Sequence, residues 1–518
     1  MKIKKLLCVF LVICIVGAIS GCFNKTQPQT QTQIPNPTSK KTNSEDVCIF
    51  TDVMIGDRSL EEWHENNVIT RVTWQKLKLS ESESKKYPDL SAQFDKHNEE
   101  SLTQAKALMY EFSPLAKEMS GDKYNPACCE ADAKFYLQRA DNHIVSLLEN
   151  VTKYTGGVHP DYFVKGNNYI TASGEKAKLT DVLTDTKELP SILEKKITEK
   201  YSYVTFHELE DTFSKYKEEE FTWTIDYQGI TFWFSPYEIA AYTVGTLSAK
   251  IWFDEFPDLF NKKYTTAPEN YVMSLPVGLG VDFDLVKDDG VKDLVYSEKM
   301  LDQYGSYYML KVSVNDKTCT DEINYAYDFD VYLAHLGDKN YIYSDSFSDN
   351  DYHMFCTWDI NGDTPKMVQE LSGTEVDDEY IEEGFEDGTV YKHTFNDPDL
   401  LRLEKRMEIL GTRGGTASFK LNETDGTPEM TDEAYTFNYG HEVKTTVTLK
   451  AKLLPDMEET EIPAETLLTP YQTDGKTYVD LKTENGAVVR LSIDTPEWPV
   501  KVNDIPEDEC FENLLYAG

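Results

Sequence analysis

The chain has 518 residues, of which 40% are hydrophobic and 12% aromatic, enough apolar surface for two or three folded domains. Acidic residues outnumber basic ones 91 to 51, and the resulting net charge of −40 argues against nucleic acid as a partner and against adsorption to anionic lipid. The same balance suits a soluble surface protein and would attract a basic one.

Met1-Lys-Ile-Lys-Lys is followed by an apolar run from Leu6 to Ile19 and then by Ser20-Gly21-Cys22. A basic head, a short apolar core and small residues describe a secretion signal over residues 1–21. The run is shorter than the roughly 20 residues a membrane span needs. Ile19-Ser-Gly-Cys22 resembles the lipobox of bacterial lipoproteins. That resemblance implies diacylation of Cys22 and a mature protein held at the extracytoplasmic side of the cell membrane through its N-terminal diacylglycerol. Two acyl chains give stable anchoring where one does not. Residues 22–46 are polar and proline-punctuated, a flexible tether.

Val68 to Leu79 alternates as a strand does. Leu102, Ala105, Met109, Phe112 and Ala116 recur at three- and four-residue steps, which predicts one face of a helix with a kink at Pro114. Strands over 134–140 and 143–152 are predicted to turn at Asp141-Asn142. Gly156-Gly157 leads into a strand over 162–170, and Pro190 opens a short helix over 189–201. A hairpin over 221–225 and 230–234 turns about Tyr227-Gln-Gly229. Ser235-Pro236 then breaks the chain before a strand over 247–253 and a short helix ending near Phe260. Beyond residue 266, short apolar runs are separated by Gly337-Asp338, Asn361-Gly362, Asp425-Gly426, Asp474-Gly475 and Asn485-Gly486. These hairpin signals suit a sandwich or small barrel. The class is therefore α+β: a mixed α/β domain over 47–265, a β-rich domain over 266–465 and a small terminal β unit over 466–518.

Three runs in the first domain are distinctive: Tyr154-Thr-Gly-Gly-Val-His-Pro160, Thr171 to Leu183, and Phe232-Trp-Phe-Ser-Pro-Tyr-Glu-Ile-Ala-Ala-Tyr242. They resemble the extracytoplasmic domain of lysozyme-sensing anti-sigma factors of the RsiV type. The same module, of unassigned function, precedes the catalytic domain of PdaC-type peptidoglycan deacetylases. Tyr87-Pro-Asp-Leu90 and Phe94-Asp-Lys-His-Asn98 are similar to its companion N-terminal half. The resemblance implies peptidoglycan, or an envelope-directed protein such as lysozyme, as the ligand class. Two departures limit what carries over. Only Met1 to Lys5 precede the apolar run, so binding to a sigma factor is not expected. The nine histidines lack the H-x-x-x-H or H-x-x-x-x-H spacing of a metal-dependent deacetylase.

His159, Tyr237 and Tyr242 are the binding candidates in these motifs, although a packed or capping histidine and core tyrosines account for the same letters. Asp359, Asn361, Asp363 and Glu370 stand at positions 1, 3, 5 and 12 of a calcium loop. Thr364 occupies the glycine position and Pro365 follows, so a β-turn on Asn361-Gly362 is the competing explanation. The acidic run from Glu375 to Asp387 reads as a solvated loop. G-x-S-x-G, P-loop, H-E-x-x-H and Cys/His nucleophile patterns are missing, so neither an enzyme nor a cofactor is expected. Six cysteines follow the anchor: Cys48, Cys128, Cys129, Cys319, Cys356 and Cys510. Export permits disulfides, but no C-x-x-C spacing supports a redox or zinc motif. The sequence points to a non-catalytic binding or sensing lipoprotein of the cell envelope. An envelope hydrolase with unrecognised carboxylates, or a structural spacer, is the alternative.

Overall fold

Val53–His64 and Asn67–Leu79 form a long antiparallel hairpin, and its buried residues Val72, Trp74, Leu77 and Leu79 bear out the strand read from the sequence. In the computed structural model, the described residues are 47–119, 129–286, 289–320, 325–349, 352–383, 386–438, 440–495 and 498–517. The helix Pro88–Met119 follows the hairpin, with Pro88 and Asp89 in its first turn, where a preset φ and a negative charge are both favourable. It begins well before Leu102 and runs on through Pro114. Leu90 and Phe94 pack on Leu77 and Phe135, and Ala105, Phe112 and Ala116 pack on Val72 and Trp74. The next strand, Cys129–Ala140, lies parallel to Asn67–Leu79. Ile144–Tyr154 and Asp161–Ile170 extend the sheet on one side, while Glu386–His393 and Asp378–Glu383 extend it on the other, giving seven strands.

A three-stranded sheet of Thr222–Ile225, Gly229–Phe234 and Leu247–Trp252 stands close against Asp161–Ile170. Gly166 allows the approach, since a Cβ there would lie 1.9 Å from the Trp223 carbonyl oxygen. Asn168 donates to that oxygen at 2.8 Å, and the Ile225 N–H donates to Ser146 Oγ at 2.9 Å. Gly229–Phe234 and Leu247–Trp252 are buried throughout, sharing a core with the helices Leu189–Lys200 and Leu209–Lys215.

Hairpins dominate the remainder. A five-stranded sheet has the order Lys366–Ser372, Tyr352–Asp359, Lys339–Ser348, Asp328–Leu336, Asn270–Ser274. A four-stranded sheet runs from Val281–Phe283 to Lys317–Thr320, and a fourteen-stranded one begins at Thr374–Val376 and includes Phe511–Glu512. Among the described residues no sheet closes into a barrel. The class is α+β with a β-rich C-terminal part.

The boundaries expected at 265/266 and 465/466 do not divide the packing. Glu45–Gly518 is one compact body. Met54 pairs with His393 and Gly56 with Tyr391, so a late strand completes the first sheet. Tyr136, Leu148 and Trp233 share one core cluster with Tyr271, Val331 and Trp358. Leu467–Thr473 pairs with Tyr435–Phe437 across the second boundary. Local periodicity identifies a strand but not a partner hundreds of residues away. The acidic run expected as a loop supplies strands instead, in Thr374–Val376, Asp378–Glu383 and Glu386–His393.

Candidate functional site

Two loops meet at the free edge of the seven-stranded sheet. Gly156, at φ 79°, turns the chain after Ile144–Tyr154 and leads through Val158, His159 and Pro160 into Asp161–Ile170. Facing it, Gly229–Phe234 ends at Ser235-Pro236. The Val164 N–H donates to Ser235 Oγ at 3.2 Å, which ties this break to the edge strand. The Ser235 N–H donates to Glu238 Oε2 at 2.8 Å, and Tyr216 donates to Glu238 Oε1 at 3.0 Å. Burial raises the Glu238 carboxyl above its usual range despite those donors.

The loops assemble all three side chains singled out by sequence. His159 stacks on Tyr242 with ring centres 3.9 Å apart and planes inclined by 22°. Tyr237 lies 5.3 Å from Tyr242. The Tyr242 hydroxyl donates to the Pro160 carbonyl at 2.5 Å, fixing the central ring, and His159 Nδ1 is 3.1 Å from the same oxygen. Tyr237 sits at φ 71° and is 62% exposed. A left-handed backbone costs a non-glycine residue about 1–2 kcal/mol, and here it accompanies an outward-facing ring. Tyr162 joins at 6.5 Å from Tyr242, and Val158, next to His159, is fully exposed. Sequence reasoning missed both. No alternation marks Tyr162, since Asp161, Tyr162 and Phe163 are all exposed at the start of the edge strand. Contiguous exposed rings of this kind suit binding of a partner surface or a ring-shaped ligand.

The calcium candidates do not converge. Asn361 Oδ1 accepts from the Asn340 N–H at 2.7 Å, and its Nδ2 donates to the Asn340 carbonyl at 2.9 Å and to Asp359 Oδ1 at 2.7 Å. Asn361 is thus consumed in closing a turn, while Glu370 lies along Lys366–Ser372 and accepts from Ser372 at 2.9 Å. Among the described residues no group of three or more His, Cys, Asp or Glu side chains is placed to hold a metal. Cys22 and Cys128 lie outside the described residues. Cys48 donates its thiol to Asp141 at 3.0 Å, and Cys510 is buried. Among the described residues no helix is long and apolar enough to cross a membrane.

A carboxylate pair unmarked by any motif does form. Asp330 and Asp345 face each other across adjacent strands, and Lys392 lies 3.8 Å from the first and 3.1 Å from the second.

Residues 161–254 match the family described as Protein of unknown function (DUF3298). The match takes in the edge strand, Tyr162, Tyr237 and Tyr242, and it starts just after His159. A solved DUF3298 family member from Bacteroides fragilis NCTC 9343 is 20% identical, covering 41% of this chain and 95% of that one, with a TM-score of 0.31. Another, from Pseudomonas aeruginosa PAO1, is 15% identical, covering 43% of this chain and 100% of that one, with a TM-score of 0.29. No curated protein matches the chain.

Proposed function

We propose that this chain, which carries a DUF3298 domain at residues 161–254, is a lipid-anchored, non-catalytic binding module of the cell envelope. Its ligand docks on the rings of His159, Tyr162, Tyr237 and Tyr242. One observation carries the reading: Tyr242 locks rings from two loops together, while Tyr237 and Val158 stay open to solvent. Flat apolar ring faces beside hydroxyls match the faces and edges of sugar rings, so cell-wall glycan is the ligand class that fits. Acylated Cys22 holds the module at the membrane, and residues 22–46 give it reach toward the wall. A second reading, a basic envelope-directed protein such as lysozyme, is favoured by the net charge of −40, which would speed encounter with a cation-rich partner.

Co-sedimentation of the intact chain with purified peptidoglycan tests the first reading. Binding should saturate and fall at least tenfold in the double variant His159→Ala, Tyr237→Ala, with circular dichroism unchanged. Lysozyme binding is measured alongside in about 0.5 M salt, where attraction between exposed charges is screened. Lysozyme binding without peptidoglycan binding transfers the platform to the second reading. Loss of neither interaction in the double variant sinks both.

A further inference from the structure

We propose that the cleft between the seven-stranded and five-stranded sheets binds an alkylammonium group, the amine end of a polyamine or of a lysine-type side chain. The cleft shares no residue with the aromatic platform. It encloses about 520 Å³ and is lined by seven carboxylates against three permanent cations, Arg58, Lys134 and Lys392, and one histidine. Those cations are already engaged. Lys134 Nζ lies 2.9 Å from Asp330 and 3.5 Å from Asp328, and Lys392 bridges Asp345 and Asp330. Arg58 donates to the Gly388 carbonyl at 3.2 Å, and His353 Nδ1 lies 2.9 Å from Glu375.

An acidic cluster alone would say little. The second observation is at the cleft floor. Asp345 is 2% exposed, its Oδ2 takes Lys392, and its Oδ1 has no hydrogen-bond partner. A buried carboxylate oxygen without a donor is costly, and a ligand that supplies the donor removes that cost. The neighbouring acids report the same deficit: burial raises Asp57 and Asp378 above the usual range, and takes Asp345 to about 6. An ammonium brings both the N–H donors and the missing charge. Trp74, Phe329 and Phe347 offer apolar wall to the alkyl stem behind it. A compact divalent ion fits less well, because no three such ligands converge among the described residues.

The pH dependence follows from the groups facing Asp345. Against its burial, Lys134 and Lys392 hold Asp330 at about 2, so it stays ionised, as do both lysines. Acidification neutralises Asp345 and favours the charged form of His353 beside Glu375, the raised Asp57 and Asp378 shift in the same sense, and each change weakens the attraction for a cation.

Isothermal titration of the intact chain with cadaverine and with Nα-acetyl-lysine amide, at pH 7.5 and pH 5.0 in low salt, tests the site. At least one amine should saturate at one to one and bind about fivefold or more tightly at the higher pH. Which amine binds tells whether the natural group is free or peptide-borne. Asp345→Asn should weaken binding about tenfold. Asp378→Asn, which leaves the floor intact, should weaken it severalfold and keeps the test decisive if the first variant does not fold. The proposal fails if neither amine saturates, if tetramethylammonium, which donates no hydrogen bond, binds equally well, or if affinity is the same at both pH values.

Discussion

Asp345 lies against Lys392, yet burial outweighs that attraction and takes its carboxyl to about 6. The folded value is above the unfolded value of about 3.9, so the group favours folding at low pH, and that contribution is lost as pH climbs through about 6. At neutral pH the shift corresponds to a cost of about 3 kcal/mol. Glu404, raised by burial and by Glu375 to about 7, acts in the same direction. His353 and His393, raised against their burial by Glu375 and Asp52, also lose their contribution as pH rises. Chemical denaturation should therefore give higher stability at pH 5 than at pH 7.5. Asp345→Asn should flatten that slope and exceed the parent at pH 7.5, and a parent stability that rises with pH over this range would refute the argument. Tyr237 allows a second residue-level test, because its φ of 71° separates strain from binding. Glycine should be more stable than alanine there by about 1 kcal/mol, while both lose ligand equally. His159, Tyr237 and Tyr242 were legible because they stand in recognisable runs beside glycine and proline. Asp345 and Lys392 were not, because their meeting depends on register within one sheet and on a strand belonging to another.

The edge strand Asp161–Ile170 depends on Gly166 to reach the three-stranded sheet, and that contact also positions Ser235 under the platform. Gly166→Ala would force its Cβ to within 1.9 Å of the Trp223 oxygen and drive the sheets apart. A loss of about 1–3 kcal/mol in denaturant unfolding is expected, with weaker ligand binding alongside. Gly157→Ala is the control: its nearest neighbour is 3.8 Å away, and stability should hold. Turn chemistry made many elements readable. Gly486 at φ 83° joins Tyr478–Thr483 to Val488–Asp494, and Asp141 accepts from the N–H groups of His143 and Ile144 in the predicted turn. The acidic run after Glu375 misled because charge reads as loop, whereas sheet edges also carry charge as protection from unwanted pairing.

Two tests address the whole molecule. Cys22→Ala should abolish metabolic lipid labelling and release the protein from membranes, and equal labelling of the variant would remove the anchor from the proposal. The second concerns the division read near Thr265-Thr266-Ala267-Pro268, where composition changes but packing does not. Arg139 is wholly buried, and its guanidinium donates to Asp141 at 2.6 Å, to the Tyr264 carbonyl at 2.7 Å, and to the Asp226 and Thr266 carbonyls at 3.2 Å. The would-be linker is thus fastened to the centre of the first sheet. That sheet in turn relies on Glu386–His393 for its other side. Fragment 47–265 alone would bare the Met54–Gly56 edge and the side chains of Tyr136, Leu148, Val164, Tyr227 and Trp233, which share a core cluster with Val331, Ile342 and Trp358. A proteolytic nick near residue 265 should therefore leave both pieces together on gel filtration, melting in one transition. The isolated 47–265 fragment should bind a hydrophobic dye and unfold with reduced cooperativity. Two separate transitions, with a monodisperse and dye-negative fragment, would instead establish independent domains and make the shared cluster a mere contact between them.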